Sequence, residues 1–202
     1  MDDLVLQAMQ RWPNVPAVYG WLSLDARGRW KLHPNGGGND DPPEPGDSIS
    51  SPGLIAFINR NYASDEQERW FFQNGPQRVY VRLEAAPYIV RLADDGIKLQ
   101  THTGLALERV DEWLLDEAGH LYVRTPLGAG LVEDRDLPPL LACLKTYEAE
   151  TDATHGALLD ALEAGATRGI LRHPALPDAP WRQVKAADIP RELGFAANPN
   201  QP

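Results

Sequence analysis

Residues 70–92, W-F-F-Q-N-G-P-Q-R-V-Y-V-R-L-E-A-A-P-Y-I-V-R-L, constrain the fold more than any other stretch. Trp70, Phe71 and Phe72 suit a pleated, half-buried surface. Val79, Val81 and Leu83 then alternate with Arg78, Tyr80, Arg82 and Glu84. A period of two puts the first set on a core face and the second on the opposite face of a strand. Asn74-Gly75 can supply the two positive φ angles of a tight hairpin turn. Pro76 lacks an N–H and restricts the residue before it, which leaves a longer loop open. Ala85-Ala86-Pro87 breaks the run, and residues 88–92 resume the alternation. Three strands on such short connections predict an antiparallel meander, because parallel neighbours need crossovers of a dozen residues or more.

The rest of the chain is read around that meander. Leu4, Val5, Ala8, Met9 and Trp12 fall at helical spacing after Asp2 and Asp3 and before Pro13, which predicts an N-terminal helix within residues 1–16. Residues 18–24 and 29–33 read as strands joined at Asp25-Ala26-Arg27-Gly28. Residues 34–48 hold glycine, proline and acids with almost nothing apolar to bury, so a mobile loop is expected; it lacks a phosphate-loop motif. Ser51-Pro52 opens a helix over residues 52–62. Residues 97–102, 110–115 and 120–125 follow as strands, the last pair turning at Asp116-Glu117-Ala118-Gly119, and residues 127–132 as a glycine-rich strand or loop. A helix is expected over residues 137–148 and another around Leu158, Leu159 and Leu162, capped by Thr151 or Asp152 and ended by Gly165. Residues 170–172 and 181–184 read as short strands, residues 187–190 as a helical turn and residues 198–202 as a frayed end. The turns at Asp25 and Asp116 resemble each other, and a helix follows each hairpin. That suggests two related hairpin-plus-helix lobes, residues 17–104 and 105–202.

Composition removes several function classes. The net charge is −10, which argues against nucleic acid and anionic membrane as partners, since both need a basic footprint. No apolar run reaches the length of a membrane span, and Met1-Asp2-Asp3-Leu4 lacks the basic start of a signal peptide. A single cysteine, Cys143, rules out an intramolecular disulfide and favours a cytoplasmic setting. It lies among leucines, where an inert buried thiol is the simpler reading. His33, His102, His120, His155 and His173 show no metal-ligand spacing, so no metal or cofactor is expected.

The candidate site is on the meander. Arg78, Tyr80 and Arg82 share the face opposite the apolar set, with Arg91 from the next strand and His102 from the one after. Such a cationic patch in an acidic protein can receive a carboxylate or phosphate. The structural alternative is a solvated sheet face whose arginines pair with local acids such as Glu84.

Four segments, F-I-N-R-N-Y-A-S-D-E (57–66), W-F-F-Q-N-G-P-Q-R-V-Y-V (70–81), T-H-T-G (101–104) and E-D-R-D-L (133–137), resemble an uncharacterised family of proteobacterial proteins, a domain of unknown function. The resemblance extends to about Leu144. It implies a bacterial cytoplasmic protein with no assigned activity and no catalytic residues to transfer.

The sequence thus predicts an α+β fold of antiparallel meanders with packed helices. The leading functional expectation is a non-catalytic binding or regulatory module for a small anionic ligand or a protein partner. A metal-independent hydrolase or transferase using His102 and nearby acids in an inter-lobe cleft is one alternative. A homo-oligomeric structural protein, such as a homodimer joined at a strand edge, is another.

Overall fold

A computed structural model describes residues 1–147 and 156–199. The expected caps Thr151 and Asp152, His155 and the last three residues lie outside the described residues. The fold is α+β and divides into two compact units, Met1–Pro87 with the segment from Gly194, and Tyr88–Leu193. The division falls at Pro87, whereas the sequence pattern puts it after residue 104.

The first unit contains α1 (Asp3–Arg11), β1 (Val18–Leu24), β2 (Trp30–Leu32), β3 (Asp47–Ser48), α2 (Pro52–Arg60), β4 (Tyr62–Ser64), β5 (Trp70–Asn74) and β6 (Gln77–Leu83). Its sheet runs β3-β2-β1-β6-β5-β4. The β5–β6 hairpin has a two-residue loop, since Asn74 pairs with Gln77. Gly75 has φ 57° and the proline ring fixes a negative φ at Pro76, so only the first loop residue is left-handed. The expected third strand of the meander is not in this sheet. The other edge of β6 is taken by β1 in parallel, with Leu22 opposite Val81 and Leu24 opposite Leu83. The intervening chain, α2 included, is long enough for that crossover. Leu24, Trp30, Phe72 and Leu83 bury against the helix side of the sheet. There the Trp30 indole N–H donates to Asn59 Oδ1 at 2.8 Å, and Phe57 of α2 meets the Phe72 ring edge-on. Ser51 Oγ caps α2 by accepting from the Leu54 N–H, with Pro52 at the first position.

Residues 34–48, expected as a mobile connector, fold around His33, which is only 3% exposed. A single turn of 3-10 helix, Gly37–Asn39, follows the β2 end. A side chain at Gly38 or Gly46 would come within 2.8 and 2.6 Å of the imidazole. These glycines therefore permit close approach of backbone to the ring. A loop with no apolar side chains can still fold when a polar ring is what it encloses.

The second unit contains β7 (Tyr88–Leu92), β8 (Leu99–Thr101), β9 (Glu112–Leu115), β10 (Leu121–Thr125), β11 (Gly128–Val132), α3 (Leu137–Cys143), β12 (Lys145–Tyr147), β13 (Gly156–Ala157), α4 (Leu158–Glu163), β14 (Arg168–His173), β15 (Leu176–Gln183) and α5 (Ile189–Leu193). Its sheet runs β13-β12-β14-β15-β9-β10-β11-β7-β8, with β7–β11 and β9–β15 parallel. Trp113, Trp181, Leu121, Leu140 and Leu158 form its core. The helix expected to reach residue 148 stops at Cys143. Leu144 turns extended, and β12 brings Thr146 Oγ1 into the core to accept from the Trp181 indole at 2.7 Å. Satisfying that buried N–H outweighs the helical pattern of the leucines.

A repeat of the strand path is present, but not the expected hairpin-plus-helix one, since no helix lies between β8 and β9. The paths β2-β1-β6-β5-β4 and β8-β7-β11-β10-β9 match strand for strand, each a hairpin followed by a meander whose last strand pairs in parallel with the hairpin's first. The Asp25 turn therefore corresponds to the Asp95 turn, and the Asp65 turn to that at Asp116. In all four, aspartate Oδ1 accepts two backbone N–H groups of its own turn, a local motif that favours the bend.

Candidate functional site

The face of the first sheet opposite α2 carries the expected cations. Arg78 places its guanidinium 4.5 Å over the Phe71 ring. Tyr80 is 3% exposed and is a core residue rather than an open ligand contact. Its hydroxyl donates to Asp65 Oδ2 at 2.8 Å and accepts from Arg69 at 3.0 Å, and its ring stacks on Tyr19 at 4.7 Å. Burial resists ionisation of Asp65, but hydrogen bonds from Arg69 and Tyr80 outweigh it and hold the carboxyl at about 2. Burial, and then the bond to Asp65, push the Tyr80 phenol up.

Arg82 is half-buried one strand from Ser23, its partner on β1, and Lys31 of β2 is the partner of Ser23 on the other side. The three stand in one row across the sheet with their side chains on the same face. Ser23 Oγ is 2.8 Å from His33 Nε2, and His33 Nδ1 is 2.9 Å from the Glu44 carbonyl oxygen. A carbonyl only accepts, so Nδ1 carries the proton. In the neutral ring Nε2 then accepts from the Ser23 hydroxyl. Strands β1, β2, β5 and β6 contain no acidic residue. Among the described residues neither the Lys31 nor the Arg82 side chain has an ion pair or hydrogen bond.

Arg91 and His102 belong to the second unit and its sheet. Arg91 Nε lies 2.7 Å from Glu133 Oε2, a carboxylate 3% exposed that Arg135 also holds. His102 Nδ1 accepts the Ile89 N–H at 3.1 Å, and the two backbones are joined by a second bond. Both side chains fasten the second unit internally.

The second unit has a cleft of about 780 Å³. Arg182 on its wall bridges Glu112 at 2.7 Å and Glu192 at 2.8 Å, so that guanidinium is already neutralised. Asp116 of the cleft lining holds His120, with Nδ1 2.8 Å from Oδ2, a spacing that a catalytic dyad also shows. The equivalent contact is made by Arg29 to Asp25 and by Arg69 to Asp65, where proton transfer is out of reach. The arrangement is a turn clamp in all three. Cys143 is half-buried, and burial pushes its thiol up, which disfavours a thiolate nucleophile. Among the described residues no group of three His, Cys, Asp or Glu side chains is placed to hold a metal ion, and no helix is long and apolar enough to cross a membrane.

The sequence pattern singles out Arg82 but not Lys31, Ser23 or His33. Ser23 and Lys31 are legible only as the polar members of short alternating strands. His33 carries no signal beyond its place before the glycine run.

The molecule is thus an α+β protein of two compact units, the first presenting a cationic row on central strands that hold no acid. The DUF2944 family model, described as "Protein of unknown function (DUF2946)", matches residues 1–200, and the chain belongs to this family. A crystal structure of a DUF1285 family protein from Silicibacter pomeroyi DSS-3 is similar at 17% identity, with a TM-score of 0.48 over 81% of this chain and 99% of that one. A DUF1285 family protein from Shewanella baltica OS155 is similar at 15% identity, with a TM-score of 0.39 over 57% of this chain and 86% of that one. Among curated proteins there is no match.

Proposed function

We propose that the protein is a non-catalytic binding module that takes a small anion, a carboxylate or a phosphate, at Lys31 and Arg82 on either side of Ser23. The observation that carries this reading is the row itself. Two cations flank a hydroxyl on a sheet face whose central strands hold no acid, in a chain of net charge −10. Two cations in one row, either side of a serine whose proton goes to His33, suit a planar or tetrahedral oxyanion. Arg78 stands on the same face, two residues before Tyr80, and extends the field. A regulatory role in the bacterial cytoplasm belongs to the same reading, in keeping with the single cysteine and the proteobacterial resemblance.

Calorimetric titration with inorganic phosphate and with citrate tests it. Replacing Lys31 and Arg82 together by alanine should weaken binding by about tenfold or more, as loss of charge-assisted hydrogen bonds predicts, while Arg91→Ala should leave it unchanged. Equal binding by the double variant and the parent removes this reading. A partner protein or a second copy is the second reading, favoured by Leu4, Leu6 and Trp12, which are 78, 43 and 50% exposed in and just after α1. Sedimentation of a Leu4→Gln, Trp12→Gln variant distinguishes it, since a surface joining copies would lose mass on substitution.

A further inference from the structure

On its helix side, the first sheet leaves a cleft of about 350 Å³ beside α2. Its floor is buried and apolar, formed by Leu22, Ile58 and Phe72. Its rim is formed by Trp21, Leu32 and Leu54, each 43–44% exposed. Asn74 and Gln77, which flank the Gly75-Pro76 turn, bring two carboxamides to one end. No side chain lining the cleft is ionisable, although charged residues make up 24% of the chain.

The cleft depends on a local irregularity. Trp21 and Leu22 both line it, although strict alternation would send neighbours to opposite faces. Between Val18 and Leu22 the register against β6 shifts, and Gly20 within the shift has φ 76°. A side chain at Gly20 would lie 2.0 Å from the Gly36 carbonyl oxygen, so glycine is required there. Bulges beside binding sites re-aim a side chain in this way, and here the indole is turned to the rim. Exposed apolar side chains scattered singly need no explanation; three around one concave, uncharged hollow do.

We propose that this cleft is a second binding site, independent of the cationic row, for a small uncharged ligand. The ligand has a flat apolar body of one or two rings and a single amide, carbonyl or hydroxyl group. The body lies between Trp21 and Leu54 over Phe72, and the polar group meets Asn74 and Gln77. The volume is at the small end of ligand pockets, which excludes large cofactors. With no cation in the lining, a charged isostere would lose its hydration without compensation.

Proton–nitrogen correlation spectra of the full chain, titrated with indole, benzamide and benzoate, test the proposal. Benzamide and indole should give saturable shifts confined to the Trp21 indole N–H, the Asn74 and Gln77 carboxamides and their neighbours. Benzoate should bind about tenfold more weakly or worse. Leu54→Glu and Trp21→Gln, both at exposed positions, should keep the fold by circular dichroism and abolish the shifts. The Lys31 and Arg82 variant should leave them intact, which separates this site from the anion site. The proposal is overturned by absence of saturable shifts up to the probes' solubility, by equal binding of benzoate, or by shifts that persist in both cleft variants. It is also overturned if the parent sediments as a dimer that Leu54→Glu dissociates, because a second copy would then cover the cleft.

Discussion

The parallel seams β1–β6 and β7–β11 are the same join in the same strand path, and they are built differently. The β7–β11 seam is regular over Tyr88, Ile89 and Val90, with Ile89 and Val90 sealed in the core. The β1–β6 seam shifts register at Gly20. Beyond β9 the second sheet adds β15, β14, β12 and β13, whereas the equivalent edge of the first sheet ends at the three residues of β4. One strand path therefore has a regular seam in the longer sheet and an irregular one in the shorter. The candidate sites follow the irregularity rather than the topology, which fits the general separation of fold from function.

Glycine substitution gives the largest contrast between the seams. Gly20→Ala combines a left-handed φ with a backbone clash and should cost the first unit about 4 kcal/mol in urea unfolding. Gly130→Ala in β11 meets the Val90 and Val123 methyl groups, which can shift, and should cost about 1–2 kcal/mol. Equal losses would mean that the two seams are energetically alike.

The corresponding turns come next. Asp65→Ala strands the buried Tyr80 hydroxyl and Arg69, which is 18% exposed, and should cost about 3 kcal/mol. Asp116→Ala releases His120, which is 55% exposed, and should cost about 1 kcal/mol. A reversed order in denaturant unfolding would show that the clamp at Asp116 does more than close a turn.

Acid should separate the units. The carboxyl of Asp65 is lowered to about 2 from 3.8 in the folded protein. Its stabilisation is complete above pH 4 and lost between roughly pH 4 and 2, worth about 2 kcal/mol. Burial lowers the imidazole of His173 in the second unit. The unfolded chain binds that proton more readily, so the second unit loses stability as pH falls below about 6.5. Melting curves across pH should show a decline beginning near pH 6.5 that His173→Gln removes, and a later one that Asp65→Asn removes.

The smallest effect should be a gain. Gly28 and Gly119 take φ 73° and 87° at the position where the Asp65 turn has Glu68 at 60°. Glu68→Gly should therefore stabilise the first unit by about 0.5–1 kcal/mol, read as a shift in its urea midpoint.

The sequence was most legible where interactions are local. The alternation of Val79, Val81 and Leu83, the hairpin at Gly75, the Ser51 cap and the aspartate turns all rest on neighbours within a few residues. The parallel seams were not legible, because pairing Leu22 with Val81 depends on which distant edge is available. The face of Tyr80 looked solvated because strand alternation marks two faces without saying whether the second is covered. Arg91 and His102 were placed with Arg78 by the expected meander, and they separated from it when the chain left the sheet at Pro87. His33 and its glycine loop carry no apolar pattern, so a folded polar enclosure read as a connector.

The segment from Gly194 completes the first unit. Phe195 is 4% exposed there, the Ala196 N–H donates to the Glu68 carbonyl and the Leu83 N–H donates to Ala197. The order of synthesis therefore runs against the order of completion. The strands of the first unit are synthesised before those of the second, yet the peptide groups of Glu68 and Leu83 and the seat of Phe195 wait for residues translated after Leu193. A chain ending near residue 193 would leave those peptide groups without these partners and Phe195 without its place in the first unit.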